Sequence, residues 1–150
     1  MKLAEALNLR ADLKIRIKQL KERLIANSKV QEGDVPSENP EELLKELKGN
    51  LEQLEDLIKK INMTNSSTVV DGETLTDLIA KRDVLTMEIS IKREFLASAS
   101  EKINRYSNNE IKILSTTDVG KKQKEIDKLS KKLRELDTKI QGLNWTTELK

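Results

Sequence analysis

The chain has 150 residues, of which 36% are charged, 36% are hydrophobic and 2% are aromatic. Its 28 basic residues nearly balance 26 acidic ones, which argues against a strong general attraction to nucleic acid or another polyanion. Cysteine and histidine are absent, so disulfides, thiolate catalysis, zinc-thiolate sites and an imidazole general base are excluded.

Leucine and isoleucine recur at helical spacing, which distinguishes this composition from that of a disordered chain. We predict one helical domain over residues 1–150, with helices at about residues 2–30, 40–63, 75–106 and 116–143 and a tail at 144–150. Connectors of about ten residues reverse a long helix without returning along it. The predicted fold class is all-α, an elongated antiparallel four-helix bundle or paired long helical hairpins with coiled-coil-like packing.

The first predicted helix has an apolar seam whose residues are three and four positions apart. Four residues form this seam: Leu13, Ile17, Leu20 and Leu24. One turn earlier the same spacing falls on Arg10, so a charged side chain interrupts the seam. Glycine and proline residues between positions 33 and 40 predict the end of this helix.

The second predicted helix begins with Asn39 as a cap and Pro40 in the first turn. Its acidic stretch at residues 41–56 loosely resembles the Glu-Glu and Glu-x-x-Asp pattern of Mg-dependent helical nucleotide pyrophosphatases. Three of these acids have a lysine four residues later, the spacing of surface ion pairs. The pairs are Glu41 with Lys45, Glu55 with Lys59, and Asp56 with Lys60. We therefore predict a solvated face, no metal or cofactor, and no enzymatic activity.

The third predicted helix carries two apolar stripes. The first contains Leu75, Leu78, Leu85, Ile89, Leu96, Ala99, Ile103 and Tyr106, and it is interrupted by Arg82 and Lys92. The second contains Val84, Met87, Ile91 and Phe95. Because each stripe needs a surface that covers it, two stripes predict two neighbours.

The fourth predicted helix is preceded by a capping box of Ser115 with Asp118. Its lysines are interleaved with acids, which favours a solvated face over nucleic-acid binding. Residues 68–70 and 111–114 have strand character, which is compatible with a short ribbon or with two ordinary loops.

Three cations, Arg10, Arg82 and Lys92, sit in otherwise apolar seams, where an unpaired charge costs several kcal/mol if it leaves water. One interpretation is that their head groups reach solvent along aliphatic stems. The sharper hypothesis is that the two arginines form ionic layers that fix register and partner choice. The acids close to them in the sequence are Glu5, Asp12, Asp77 and Asp83. Trp145 follows the last predicted helix. Its side chain either packs at a contact between subunits or fills the open end of its own bundle.

Several stretches together resemble a septicolysin-like family of small bacterial helical proteins. They are MKLAEALNLRADL, KVQEGDVPSENPEELLKEL, VDGETLTDLIAKRDVL, EIKILSTTD and ELDTKIQGLNWTTEL. The resemblance implies no catalytic residues, and the family label implies a pore-forming, membrane-active protein. Narrow seams nevertheless suit helix partners better than lipid.

The predicted function is that of a non-enzymatic structural or interaction protein that self-associates through long antiparallel helices. Charge appears at Glu5 and Arg10 before a long apolar stretch forms, so we expect neither a signal peptide nor an integral membrane segment. A cytoplasmic homo-oligomer is therefore expected. The alternatives are membrane lysis and, third, a magnesium-dependent pyrophosphatase.

Overall fold

The computed structural model describes residues 1–101 and 111–150. Within these residues the elements are α1 (Leu3–Ala26), α2 (Pro40–Ser67), β1 (Val69–Val70), β2 (Glu73–Thr74), α3 (Leu75–Ser100) and α4 (Val119–Thr146). The four helices confirm the predicted helical class. The described chain divides into two compact units, unit 1 with Met1–Leu75 and Gln141–Lys150, and unit 2 with Thr76–Ile140.

Unit 1 contains the packed pair α1 and α2. Its buried apolar side chains include Leu3, Leu13 and Leu20 from α1 and Leu43, Leu57 and Ile61 from α2. Their spacings of seven and ten residues in α1 and of four and fourteen residues in α2 are close to whole numbers of helical turns, so these side chains lie on one face of each helix.

The end of α1 lies at Ala26, whereas the sequence predicts a helix to about residue 30. The Asn27 side chain explains the difference, since its Nδ2 donates to the Arg23 carbonyl at 2.9 Å and its Oδ1 accepts from the Glu38 amide at 3.0 Å. Arg23 Nε also donates to Glu38 Oε2 at 3.0 Å. This hydrogen bond lowers the pKa of Glu38 and raises the pKa of Arg23. These hydrogen bonds therefore hold the connector between α1 and α2 against the last turn of α1.

The starts of α2 and α4 differ in how well the sequence predicts them. The Asn39 cap is confirmed, because its Oδ1 accepts from the Glu41 amide at 3.0 Å. At α4 the cap is Asp118, whose Oδ1 accepts from the Lys121 amide at 3.1 Å, so the helix begins at Val119. Ser115 was predicted to cap this helix, but its hydroxyl donates to the Thr117 carbonyl at 3.1 Å instead.

A two-residue turn joins β1 to β2 in an antiparallel hairpin. Asp71 and Gly72 have φ values of 52° and 80°, and two successive positive φ values are typical of the type I′ turn that Asp-Gly favours. The strand character of residues 68–70 therefore appears in a short ribbon, whose second strand is Glu73–Thr74. Residues 111–114 lie outside any strand.

The last residues of the chain pair with its first residues inside unit 1. The Leu3 amide donates to the Thr147 carbonyl, and the Leu149 amide donates to the Met1 carbonyl, both at 2.9 Å. The Lys150 amide donates to the hydroxyl of Thr64, a fully buried residue of α2, also at 2.9 Å. The C-terminal strap, residues 147–150, thus connects the N-terminus to α2.

Glu148 in this strap accepts hydrogen bonds from Lys2 and from the N-terminal ammonium group, which lower its pKa below the ordinary range. Its stabilising contribution is therefore present above the unfolded-state pKa of about 4.3 and lost as pH falls through the folded-state pKa. We expect Glu148→Gln to make the free energy of unfolding less dependent on pH between about pH 5 and pH 3.

Urea titrations across that pH range check this expectation. Glu22→Gln is the matched control, because Glu22 is exposed on α1 and forms no ion pair within residues 1–101 and 111–150. Equal pH dependence of Glu148→Gln and the unsubstituted chain would contradict the assignment.

Unit 2 contains α3 from Thr76 onward and α4 as far as Ile140, and the two helices run antiparallel. Residue 82 of α3 contacts residue 137 of α4, while residue 93 contacts residue 130. The core of the pair is Leu85, Ile89, Leu96 and Ile126, with Val119, Leu129 and Leu133 packed against it. The first predicted stripe of α3 is buried at Leu75, Leu78, Leu85, Ile89 and Leu96 and half-buried at Ala99. Its predicted extension to Ile103 and Tyr106 lies outside the described residues.

Candidate functional site

The second apolar stripe of α3 faces solvent. Its exposed fractions are 66%, 62%, 60% and 50% for Val84, Met87, Ile91 and Phe95, respectively. By contrast, Ile89 on the opposite side of the same helix is 3% exposed. Contiguous exposed apolar side chains on a soluble protein mark interaction sites more often than isolated ones do. We call these four residues the α3 stripe and treat them as the candidate functional site.

Charged residues border the α3 stripe along its length. At 100° per residue, Lys81, Glu88 and Lys92 lie along one border, and Asp83 and Glu94 lie along the other. Lys92 Nζ lies 3.5 Å from Glu88 Oε1. The apolar strip is therefore narrow and has charged residues along both sides.

Arg82, one of the predicted interaction residues, bridges the two helices of unit 2. Its Nη1 lies 3.6 Å from Asp137 Oδ1 on α4, and its Nη2 lies 3.1 Å from Asp83 Oδ1. The side chain is 29% exposed, so the guanidinium group is partly withdrawn from water. Asp83 is among the counterions that the sequence indicates. Asp137 was missed, because nothing local shows which residues of α4 face position 82.

The other three predicted interaction residues lie on separate parts of the fold. Lys92 has a solvent-exposed ammonium group paired with Glu88. Arg10 is half-buried on α1 and forms no ion pair among the residues that the structure describes. Trp145, which the sequence predicts to follow the last helix, lies instead in the last turn of α4, because this helix continues to Thr146, and its side chain is 57% exposed. Their roles in partner choice stay predictions.

The acidic stretch of α2 carries surface ion pairs. Lys60 Nζ lies 2.7 Å from Asp56 Oδ2, and Lys59 contacts Glu55. A hydrogen bond from Lys59 to Glu55 raises the pKa of this lysine. No group of three or more acidic side chains is positioned to hold a metal ion in the described ranges. Two of the three predicted lysine–acid pairs therefore form on this face.

Comparison with known proteins identifies a family whose function is unknown. Residues 10–149 match a family of unknown function, DUF6847. The chain belongs to this family. This DUF6847 chain is also similar to a solved structure described as a functionally unknown conserved protein from Corynebacterium diphtheriae. The two are 40% identical with a TM-score of 0.93, and the match covers 100% of this chain and 99% of that one.

The DUF6847 chain matches no curated protein. Neither the family nor the solved relative assigns a substrate, ligand or partner. Among its described helices, none combines the length and apolar character needed to cross a membrane. The α3 stripe is therefore interpreted from its own chemistry.

Proposed function

We propose that this DUF6847 protein is a non-enzymatic structural or interaction protein that self-associates through its long helices. The α3 stripe of one copy packs against the α3 stripe of a second copy. The exposure of four apolar side chains at successive turns, opposite the buried face of α3, is the observation that carries this proposal. An apolar helix face is stable in water when another element covers it.

The architecture of unit 2 supports this arrangement. Its described core lies between two helices, so the outer face of α3 has no second layer within the unit. The α3 helix of a second copy would supply that layer by antiparallel, coiled-coil-like packing against the stripe. The two stripes of α3 predict two neighbours for this helix, and the second copy would be one of them.

The borders of the stripe favour a two-fold antiparallel partner of the same chain. In such a pair the same border of each helix meets itself. A pairing centred on Ser90 places Met87 of one copy beside Ile91 of the other and brings Glu88 close to Lys92, and the symmetry repeats these contacts. Opposite charges therefore meet along one border, while Asp83 faces the uncharged Ala97 along the other.

The expected strength of the contact is moderate. Fully burying a Val, Ile, Met or Phe side chain contributes about 1.5–3 kcal/mol, and these side chains are already partly covered. Eight of them in a dimer contribute on the order of 10 kcal/mol, against a cost of association of at least about 4 kcal/mol. A dimer that dissociates on dilution through the micromolar range is therefore expected.

Sedimentation of the full chain tests the proposal. The mass should rise from 17.1 kDa towards twice that value as concentration increases. Combined Met87→Glu and Ile91→Glu substitution should keep the chain monomeric with unchanged helical content, because charges cannot be buried in the contact. The matched control is Ile15→Glu with Ile25→Glu, whose isoleucines on α1 are 56% and 63% exposed.

An unsubstituted chain that stays monomeric at high micromolar concentration would overturn self-association. So would equal loss of dimer in the stripe variant and the control. Dye release from anionic liposomes separates the membrane-active alternative that the septicolysin-like resemblance implies. Leakage that depends on the stripe, from a chain that is monomeric in solution, would assign the stripe to lipid instead.

A further inference from the structure

A groove in unit 2, between α3 and α4, brings three guanidinium groups together. Its volume is about 290 Å³. The polar lining consists of three arginines, two hydroxyl residues and one carboxylate: Arg82, Arg93, Arg134, Thr86, Ser130 and Asp137. The groove therefore has a local excess of positive charge, although the chain as a whole is nearly neutral.

The arginines of this groove are unequally engaged. Arg82 pairs with Asp137 and Asp83. Within residues 1–101 and 111–150, neither Arg93 nor Arg134 forms an ion pair. Arg93 Nη2 donates to Ser130 Oγ at 3.0 Å, a neutral acceptor. Two guanidinium groups thus line the groove without a carboxylate partner in the described chain.

We propose that this groove binds a phosphate group, as inorganic phosphate or as a small phosphomonoester. Guanidinium groups bind phosphate oxygens through paired, charge-assisted hydrogen bonds. Because Ser130 Oγ accepts from Arg93, its own hydroxyl hydrogen is oriented by that bond and can donate to an anion. Thr86 donates to the Arg82 carbonyl at 2.8 Å, so it contributes no hydroxyl donor.

The size of the groove selects among phosphate compounds. Pockets for drug-sized ligands have volumes of about 300–1,000 Å³, and this groove lies at the lower limit. A nucleotide or another large ligand would extend well beyond the arginines. A phosphate group with at most a short substituent fits the charge and the space together.

The inference stands apart from the proposed self-association. Residues 82, 86 and 93 lie on the side of α3 that faces α4, about half a turn from the α3 stripe. A monomeric chain would retain the groove, and a dimeric chain with no phosphate affinity would retain the stripe contact. The two proposals therefore fail separately.

Calorimetry of the full chain with inorganic phosphate, and separately with O-phosphoethanolamine, tests the site at constant ionic strength. We expect saturable binding of one phosphate per chain. Arg93→Gln and Arg134→Gln should each weaken binding by about tenfold or more, since each removes a charge-assisted contact. Arg16→Gln is the matched control, because Arg16 is exposed on α1 and should leave binding unchanged.

Asp137→Asn is a variant that should increase the affinity for phosphate. Removing the carboxylate that competes for Arg82 should strengthen phosphate binding by about threefold to tenfold. A purely structural pair between Arg82 and Asp137 predicts no such gain. Unchanged or weaker binding by Asp137→Asn would therefore count against the site.

Nitrogen–proton NMR spectra of the unsubstituted chain provide a readout that needs no variant. Phosphate should shift the amide signals of residues 82–93 and 130–137 and leave those of α1 unchanged. The proposal is overturned if millimolar phosphate produces no saturable heat and no local shifts. It is also overturned if Arg16→Gln weakens binding as much as the groove variants do, because the attraction would then be diffuse.

Discussion

Replacing Ile89 with alanine should lower the free energy of unfolding by about 2–5 kcal/mol. Ile89 is 3% exposed and belongs to the core of unit 2 with Leu85, Leu96 and Ile126. Alanine removes three side-chain carbons from a packed site, so the loss includes both the transfer free energy of these carbons and the cavity that they leave. This core has few members, and one deletion removes a large share of it.

Ile91 provides the matched control two residues along the same helix. It is 60% exposed, so Ile91→Ala should change the stability of the monomer by less than about 0.5 kcal/mol. Urea denaturation at concentrations where sedimentation finds a monomer compares the two variants. Ile91→Ala should instead weaken self-association. Ile89→Ala should affect self-association only by destabilising the folded chain. Similar losses of monomer stability would contradict the assignment of buried and exposed stripes.

Deleting the C-terminal strap should lower the free energy of unfolding by about 2–4 kcal/mol. The deletion removes the partners of Leu3, Met1 and Thr64, which accept or donate the three hydrogen bonds that the strap backbone makes to these residues. Leu3 and Thr64 are fully buried, so water replaces the lost partners poorly. Each of these hydrogen bonds should contribute a net stabilisation of about 1 kcal/mol to the folded chain.

Glu148→Gln separates the backbone contacts of the strap from its charge. This variant keeps all three hydrogen bonds and removes only exposed ion pairs, so its effect at neutral pH should be much smaller than that of the deletion. Hydrogen exchange of the Leu3 amide is the local readout, because its acceptor is the Thr147 carbonyl. Unchanged protection of this amide after the deletion would contradict the role of the strap.

The helices and the two stripes of α3 could be predicted from the sequence because both depend on local periodicity. The spacing of Leu85, Ile89 and Leu96 predicts a buried face, and this face forms the core of unit 2. The spacing of Val84, Met87 and Ile91 predicts a second face that requires a cover. That face is exposed in the chain, and its residues form the candidate functional site.

Contacts between distant residues could not be predicted in the same way. The pairing of Arg82 with Asp137 depends on the register of two helices, which neither helix encodes alone. The groove that contains Arg93 and Ser130 depends on the same register. The bond between Leu149 and Met1 joins the two ends of the chain, and short polar segments carry no periodic signal for it.

Helix ends depend on individual side chains rather than on periodicity. Asn27 ends α1 earlier than the seam predicts because its amide bonds the last turn and the connector. Asp118 replaces Ser115 as the cap of α4, although both residue types favour that position. Ser115 donates to the Thr117 carbonyl instead, a local contact that residue type alone does not predict.

Cross-linking at Met87 tests the contact between copies most directly. The chain has no cysteine, so Met87→Cys introduces a single thiol in the α3 stripe. A two-fold antiparallel pairing places the two thiols within reach of a short bismaleimide, since packed helix axes lie about 8–10 Å apart. We predict a covalent dimer from Met87→Cys and a monomer from the control Ile15→Cys. Equal yields from both positions, or no dimer from Met87→Cys, would contradict the account.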